Sequence, residues 1–363
     1  MRRSLVLPVA MIAGTAMITL AACTDVPSTA GDDDPVEAAD LGDGEPGAAE
    51  DTEITVAIPF PDITMYSMYV VGTELGFYED EGLSVEVITA DNVNAAVSSG
   101  SADIGVESAG AVIEAVRAGV GVMPLAGHFC RQNFDFAVQP GVTSVDQLAG
   151  TDVVLAGTTG DPAEFQRQRV LKEEGWDLEG VDVDIVYPGP DSATWREFFV
   201  TDRVSLIPFY GDDRPALDEY GANIVVEALR PWANDLHVAG KGWLADNPNT
   251  AVRFLRATMK SLEHILAPGV GEVPENKDEI LDIYAANDFE VDELRVQDHP
   301  WVLDGHLACP NLYFDQEAWD TTIETQQLDP LPFDEHVDLS YLNKAQELLG
   351  LEAAMPSEEL VYP

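Results

Sequence analysis

"GFYEDEGLSVEVI" (residues 76–88) decides the fold class. Gly76 is a helix-stopping residue, followed by two aromatics and an acidic turn. Leu83, Val85 and Val87 then alternate with Ser84 and Glu86, the period of two of a half-buried strand. A helix that gives way within a few residues to a strand is part of a repeating β/α pattern, so the flanking sequence should alternate in the same way.

Outward from that stretch it does. "ITVAI" (54–58) reads as a strand and 65–77 carries a helical stripe, with Phe77 and Tyr78 ending the helix. Then come a short helix at "VNAAVSSG", a strand at "ADIGV", a helix at "SAGAVIEAVRAG", and strands at "GVMPLAGH" and "FDFAVQ". A second unit opens near residue 142 with "SVDQLAG", "TDVVLAG" and the helix "DPAEFQRQRVLKEEG", which Asp161 caps and Pro162 begins. Strands at "VDVDIVY", "RVSLIPFYG" and "ANIVVEA" follow. From "DLHVAGKGWLADNP" (235–248) the pattern is mostly helical, clearest at 248–266, 275–287 and 315–327. Alternating strands and helices predict parallel pairing in doubly wound α/β layers. Ligands of such layers sit at the carboxyl ends of the strands, here the loops 59–66, 107–110, 127–133, 157–161 and 208–213.

The amino terminus has another character. Arg2 and Arg3 precede an apolar run from Leu5 to Ala22, the pattern of a secretory signal. It ends on "LAAC", which resembles a bacterial lipobox and implies a lipid on Cys23 and an extracytoplasmic, membrane-anchored protein. Residues 24–53 hold 11 acids, no base and many Gly, Ala and Pro, so 23–53 is expected to be a disordered acidic tether.

The chain has 363 residues, 66 acids and 18 bases. Without the tether and the leading arginines, 55 acids still face 16 bases. Such a surface does not attract nucleic acid or anionic lipid; it suits salty surroundings that screen self-repulsion. With Cys23 lipidated, Cys130 and Cys309 remain, and an oxidising compartment favours their disulfide. Two buried thiols, or a zinc held with His128 and His306, are the other readings.

Four segments, in order, carry a family resemblance. "ELGFYEDEGLSVEVI", "AAVSSGSADIGV", "VTSVDQLAGTDVVLAG" and "NPNTAVRFLRATMKSLEHIL" resemble the extracytoplasmic solute-binding proteins for thiamine-pyrimidine precursors, nitrate, taurine and alkanesulfonates. Thr151 and Asp152 stand where Lys is common in that family. The resemblance spans residues 54–290. It implies a two-lobe periplasmic-binding-protein fold, type II like, each lobe a doubly wound sheet, with a helical carboxyl-terminal part. The expected division is signal 1–22, tether 23–53, lobe 1 from 54–135 and 232–363, and lobe 2 from 136–231. The implied protein is a monomer without cofactor or metal that passes a small molecule to an ABC importer permease.

The strand-end loops supply the candidate ligand contacts: Asp62, Tyr66, Glu107, Ser108, Phe129, Arg131, Thr158, Thr159, Phe209 and Tyr210. Trp195 and Trp232 read as core. Loop carboxylates favour N–H donors or cations, and aromatic faces favour flat rings. A nitrogen-rich ring such as a thiamine pyrimidine precursor is therefore the expected ligand; a sulfonate, taurine or nitrate is the alternative. A ligand-sensing lipoprotein is a further reading. So is a pyrimidine-synthesising enzyme of the same fold, although the sequence shows no nucleophile motif and no phosphate loop.

Overall fold

The computed structural model describes residues 41–59, 63–132, 134–161, 163–189, 191–210, 213–227, 231–266, 275–289, 291 and 308–353. Cys23, Asp62, Pro162 and His306 lie outside the described residues.

Two five-stranded sheets organise the chain. The first contains β1 (Glu53–Ile58), β2 (Ser84–Thr89), β3 (Ile104–Ser108), β4 (Val122–Arg131) and β10 (Pro231–Gly240), in the order β2-β1-β3-β10-β4. The second contains β5 (Asp135–Val138), β6 (Thr151–Val153), β7 (Val183–Ile185), β8 (Leu206–Phe209) and β9 (Asn223–Val226), in the order β7-β6-β8-β5-β9. Most helices join strands of one sheet: α1 (Ile63–Glu74), α2 (Phe77–Asp80), α3 (Val93–Ser98) and α4 (Ala109–Arg117) in the first, and α5 (Ala163–Glu173), α6 (Ser192–Val200) and α7 (Arg214–Tyr220) in the second. After β10 come α8 (Lys241–Asp246), α9 (Pro248–Leu266) and α10 (Lys277–Ala286), then the helices Gln316–Thr325, Phe333–His336 and Ser340–Leu349.

Pairing departs from the all-parallel expectation at two strands. β5 runs antiparallel to β8 and β9, and β10 runs antiparallel to β3 and β4. Both strands arrive from the other sheet instead of through a covering helix. They therefore enter at the carboxyl ends of their neighbours and run against them. β10 also corrects the expectation of a mostly helical chain from residue 235. "PWANDLHVAG" is an extended ten-residue strand inside the first sheet, between β3 and β4.

The opening stretch docks on α9. Gly76 has φ 78°, a left-handed backbone that suits glycine, and it ends α1. Phe77 and Tyr78 do not close that helix; they begin the separate turn α2. Tyr78 is buried against Phe254, with ring centroids 5.7 Å apart, and its hydroxyl meets Thr258 Oγ1 at 2.9 Å. Glu81, whose side chain is 3 % exposed, meets Arg256, Lys260 and Arg253 on the outer face of α9. The opposite face of α9 presents Val252, Leu255, Met259 and Leu262 to the core at helical spacing.

Part of the expected tether also docks there. Glu50 accepts N–H bonds from Asn249 and Thr250 at the start of α9, at 3.3 and 2.9 Å. Gly47 N–H donates to Asn249 Oδ1, Arg253 donates to Gly47 O, and Glu45 pairs with Arg256. The expectation of disorder through residue 53 is thus corrected for 45–53. A carboxylate at a helix amino terminus and two arginines supply the interactions that composition alone could not foresee.

Cys130 and Cys309 are joined by a disulfide, with Cα atoms 4.7 Å apart. This takes both sulfurs out of the zinc reading. A Cβ at Gly127 would overlap Cys309 Sγ, so glycine is required beside the bridge.

Candidate functional site

Strand directions locate the cleft. Asp235 pairs with Ser108 and Leu236 with Glu107, so β10 begins beside the carboxyl end of β3. Asp135 pairs with Phe209, so β5 begins beside the carboxyl end of β8. The carboxyl ends of the parallel strands in both sheets therefore open toward the strands that cross between the sheets. At the crossing, Pro231 pairs with Arg131, and the Phe134 and Trp232 rings lie 6.2 Å apart.

On the first sheet the crossing presents acid. Glu107 is half-buried and its Oε1 accepts the Ser108 N–H at 2.8 Å. Asp235 is 7 % exposed and accepts from Asn234 Nδ2 at 2.9 Å. Burial, and next the charge of Glu107, push the Asp235 carboxyl up to about 7, against a smaller lowering by Asn234. Burial also raises Glu107, opposed by its bonds to Ser108. Two carboxyls that resist ionisation in one place form a seat for an N–H donor or a cation. Ser108 is exposed, and its hydroxyl caps α4 by accepting from Ala111 N–H.

Below them lies a polar set that faces α1. His237 Nε2 is 2.8 Å from Tyr69 Oη, and Nδ1 is 3.1 Å from Gly127 O. Burial holds His237 down to about 4, so the ring is neutral; it donates to Gly127 O and accepts from the Tyr69 hydroxyl. Phe129 and Arg131 on β4 are both buried. Tyr66 is half-buried on α1 and meets Phe289 edge-on at 5.4 Å.

The second sheet presents a cation among rings. Arg167 is 4 % exposed, 5.1 Å from the Phe134 centroid and 5.2 Å from that of Trp195. It donates to Leu155 O at 2.7 Å and to the Tyr210 hydroxyl at 3.1 Å. Tyr210 is half-buried, whereas Phe209 is core beside Trp195 and Phe199. Thr158 and Thr159 are exposed in the loop before α5. Asp161 takes the capping role, accepting the Ala163 N–H at 2.9 Å.

The structure therefore gathers Glu107 and Ser108 on one side and Tyr210 on the other, with Thr158 and Thr159 on the loop above α5. It adds Asn234, Asp235 and Arg167, which the loop inventory missed. Asp235 begins the stretch 235–248, whose pattern suggests helix. Arg167 sat on a helix, but its spacing to Val170 and Leu171 places it on the apolar stripe, and that signal was present in the sequence. Among the described residues, no group of three His, Cys, Asp or Glu is arranged to hold a metal, and no helix is long and apolar enough to cross a membrane.

Residues 64–268, more than half of the chain, match the family described as NMT1/THI5 like. No curated protein matches in sequence. Solved structures do match in fold. The periplasmic sulfonate-binding protein SsuA from Methylobacillus flagellatus KT has 17 % identity and a TM-score of 0.62, covering 85 % of this chain and 99 % of its own. The periplasmic nitrate-binding protein NrtA from Synechocystis PCC 6803 has 14 % identity and a TM-score of 0.55, covering 84 % and 90 %. A Candida albicans protein with the generic periplasmic binding protein fold has 12 % identity and a TM-score of 0.55, covering 85 % and 98 %. This chain has the periplasmic-binding-protein fold.

Proposed function

The chain belongs to the NMT1/THI5-like family, and we propose that it is an extracytoplasmic solute-binding protein that delivers a small molecule to an ABC importer. The supporting observation is the pair of half-buried Glu107 and buried Asp235, at the carboxyl end of β3 and beside the crossing to the other sheet. The proposed ligand presents an N–H donor or cationic nitrogen to that pair. A nitrogen-rich ring, such as a pyrimidine precursor of thiamine, fits this requirement. An anionic ligand of the sulfonate or nitrate kind is the second reading, favoured by the buried Arg167 on the opposite sheet. The proposed division into lobes follows the two sheets, and the proposed anchor is a lipid on Cys23. Cys23→Ser is expected to move the protein out of the membrane fraction. Unchanged fractionation, with no lipid label in the parent, refutes the anchor.

Proton linkage gives the ligand test. A cationic ligand favours ionised Asp235, so binding releases a proton and affinity rises with pH through about 7. Calorimetry with ethylamine, a cation throughout this range, should show roughly tenfold tighter binding at pH 8 than at pH 6, since ionisation near 7 changes by about that factor. Asp235→Asn should flatten this dependence. Ethylamine binding that is independent of pH in the parent refutes the role of the acid pair. Mass spectrometry of ligand released from gently purified, then denatured, protein identifies the natural solute.

A further inference from the structure

We infer that one face of α5 is a latch between the two halves of the chain, each half being built on one sheet. Arg169 holds Glu324 across the gap, and Phe165, one turn nearer the cleft, is covered by the same helix end when the halves draw together. This rests on the solute-binding reading above and names the contact that sets how readily the cleft shuts.

The contact crosses from one half to the other. Arg169 Nη2 lies 3.1 Å from Glu324 Oε1. α5 packs on the second sheet through Val170 and Leu171. Glu324 belongs to the helix Gln316–Thr325, which packs on the first sheet through Ala318, Trp319 and Ile323. The Thr322 hydroxyl of that helix donates to Ala233 O of β10 at 2.6 Å. Its end stands at the rim of the acid seat. A Cβ at Gly110 would overlap Gln326 Oε1, so Gln326 lies on the first turn of α4, two residues beyond Ser108.

Arg169 is oriented for this reach. Glu173 Oε1, one turn further along α5, lies 2.8 Å from Arg169 Nε and leaves Nη2 for Glu324. Both partners of the crossing pair keep contact with water, so the pair can part and re-form as the halves move. An exposed pair of this kind shifts an equilibrium by up to about fivefold. Acids outnumber bases in both halves, so closing brings like charges together, and Arg169 supplies a local attraction against that background.

Phe165 extends the contact. It stands four residues before Arg169, on the same stripe of α5, while Gln166, Arg167, Val170 and Leu171 fill the buried side. Phe165 is 44 % exposed. Tyr187 is the other exposed large hydrophobic among the described residues, and its hydroxyl donates to Glu164 at 2.9 Å. The stripe that already meets the helix Gln316–Thr325 at Arg169 thus carries an uncovered ring one turn nearer the cleft. Continuity of that contact makes the helix end its cover.

The test uses the mature chain with Cys23→Ser, so that nitroxides attach only at Glu317→Cys and Lys172→Cys, one on each side of the contact. Pulsed electron paramagnetic resonance gives the distance distribution with no solute added. Arg169→Gln and Glu324→Gln should each shift the ratio of near to far populations by about threefold to fivefold toward far. The double variant should shift it no more than either single one, and Arg169→Lys should keep most of the near population. Phe165→Ser should shift the ratio the same way by roughly threefold or more. An unchanged distribution in Arg169→Gln, or losses that add in the double variant, would overturn the latch. An unchanged distribution in Phe165→Ser would overturn the place given to the ring. Because no solute enters the comparison, either failure leaves the solute-binding reading standing; failure of that reading shows separately, as purified protein that releases no small molecule.

Discussion

Reducing the Cys130–Cys309 disulfide should lower the stability of the folded body by about 5 kcal/mol in the chain-entropy model, because it opens a loop of 179 residues in the unfolded chain. The native contacts around it are also substantial. Phe129 bridges to Ala308, and Cys309 N–H donates to His128 O at 3.0 Å. These hold the segment at 308–309 on β4 once the sulfurs are freed, so reduction acts mainly through the unfolded state. For a body of about 310 residues, at about 2.1 cal/mol/K of unfolding entropy per residue, the loss corresponds to a fall in Tm of roughly 8 °C. Cys130→Ala with Cys309→Ala should melt lower than the parent, and reductant should have no further effect on the double variant. Equal melting of parent and double variant in oxidising buffer would refute the claim.

Glu81→Gln should destabilise by about 3 kcal/mol, the lower end of the range for removing one partner from a buried ion pair. Gln keeps the volume but leaves Arg256, Lys260 and Arg253 facing a neutral amide. The lower end applies because these bases keep some contact with water. Burial taken alone would raise the Glu81 carboxyl. The Arg256 and Lys260 hydrogen bonds and charges outweigh it, and the carboxyl titrates below its ordinary range. A depressed folded-state pKa contributes stability that is present above the unfolded carboxyl range and is lost as pH falls through the folded value. The parent should therefore lose its advantage over Glu81→Gln on acidification. Urea unfolding at pH 7 and at pH 3 measures both differences. A variant as stable as the parent at pH 7 would show that the cluster is not stabilising, and a gap that widens at pH 3 would refute the lowered Glu81 carboxyl.

Local rules carried much of the fold and little of the site. Gly76, the alternation at 84–89 and the apolar stripe of α9 each depend on neighbours within a few residues, so sequence revealed them. β10 was hidden because its polar residues, Asn234, Asp235 and His237, look unsuited to a central strand. Their partners, Tyr69 and Gly127 for His237 and Glu107 beside Asp235, come from more than 100 residues away. Glu81 was read as part of an acidic turn for the same reason: its cations lie on a helix distant in sequence. Arg131, the cation that the loops suggested, is fully buried at the end of β4, and Arg167, beyond the strand ends of the second sheet, is buried as well. Loop position alone does not show whether a side chain is exposed or packed.

The place of β10 in the first sheet also constrains the order in which the chain can assemble. β4 has one strand neighbour, and that neighbour is made more than 100 residues later. β3 and β4 do not touch as strands until β10 enters between them. The second sheet has no such debt, since all five of its strands lie between residues 135 and 226. As the chain emerges from a ribosome or a translocon, that segment can complete its sheet while the first remains open along β3 and β4. Those two edges are the most exposed to mispairing during biogenesis, and arrival of residues 231–240 removes both at once.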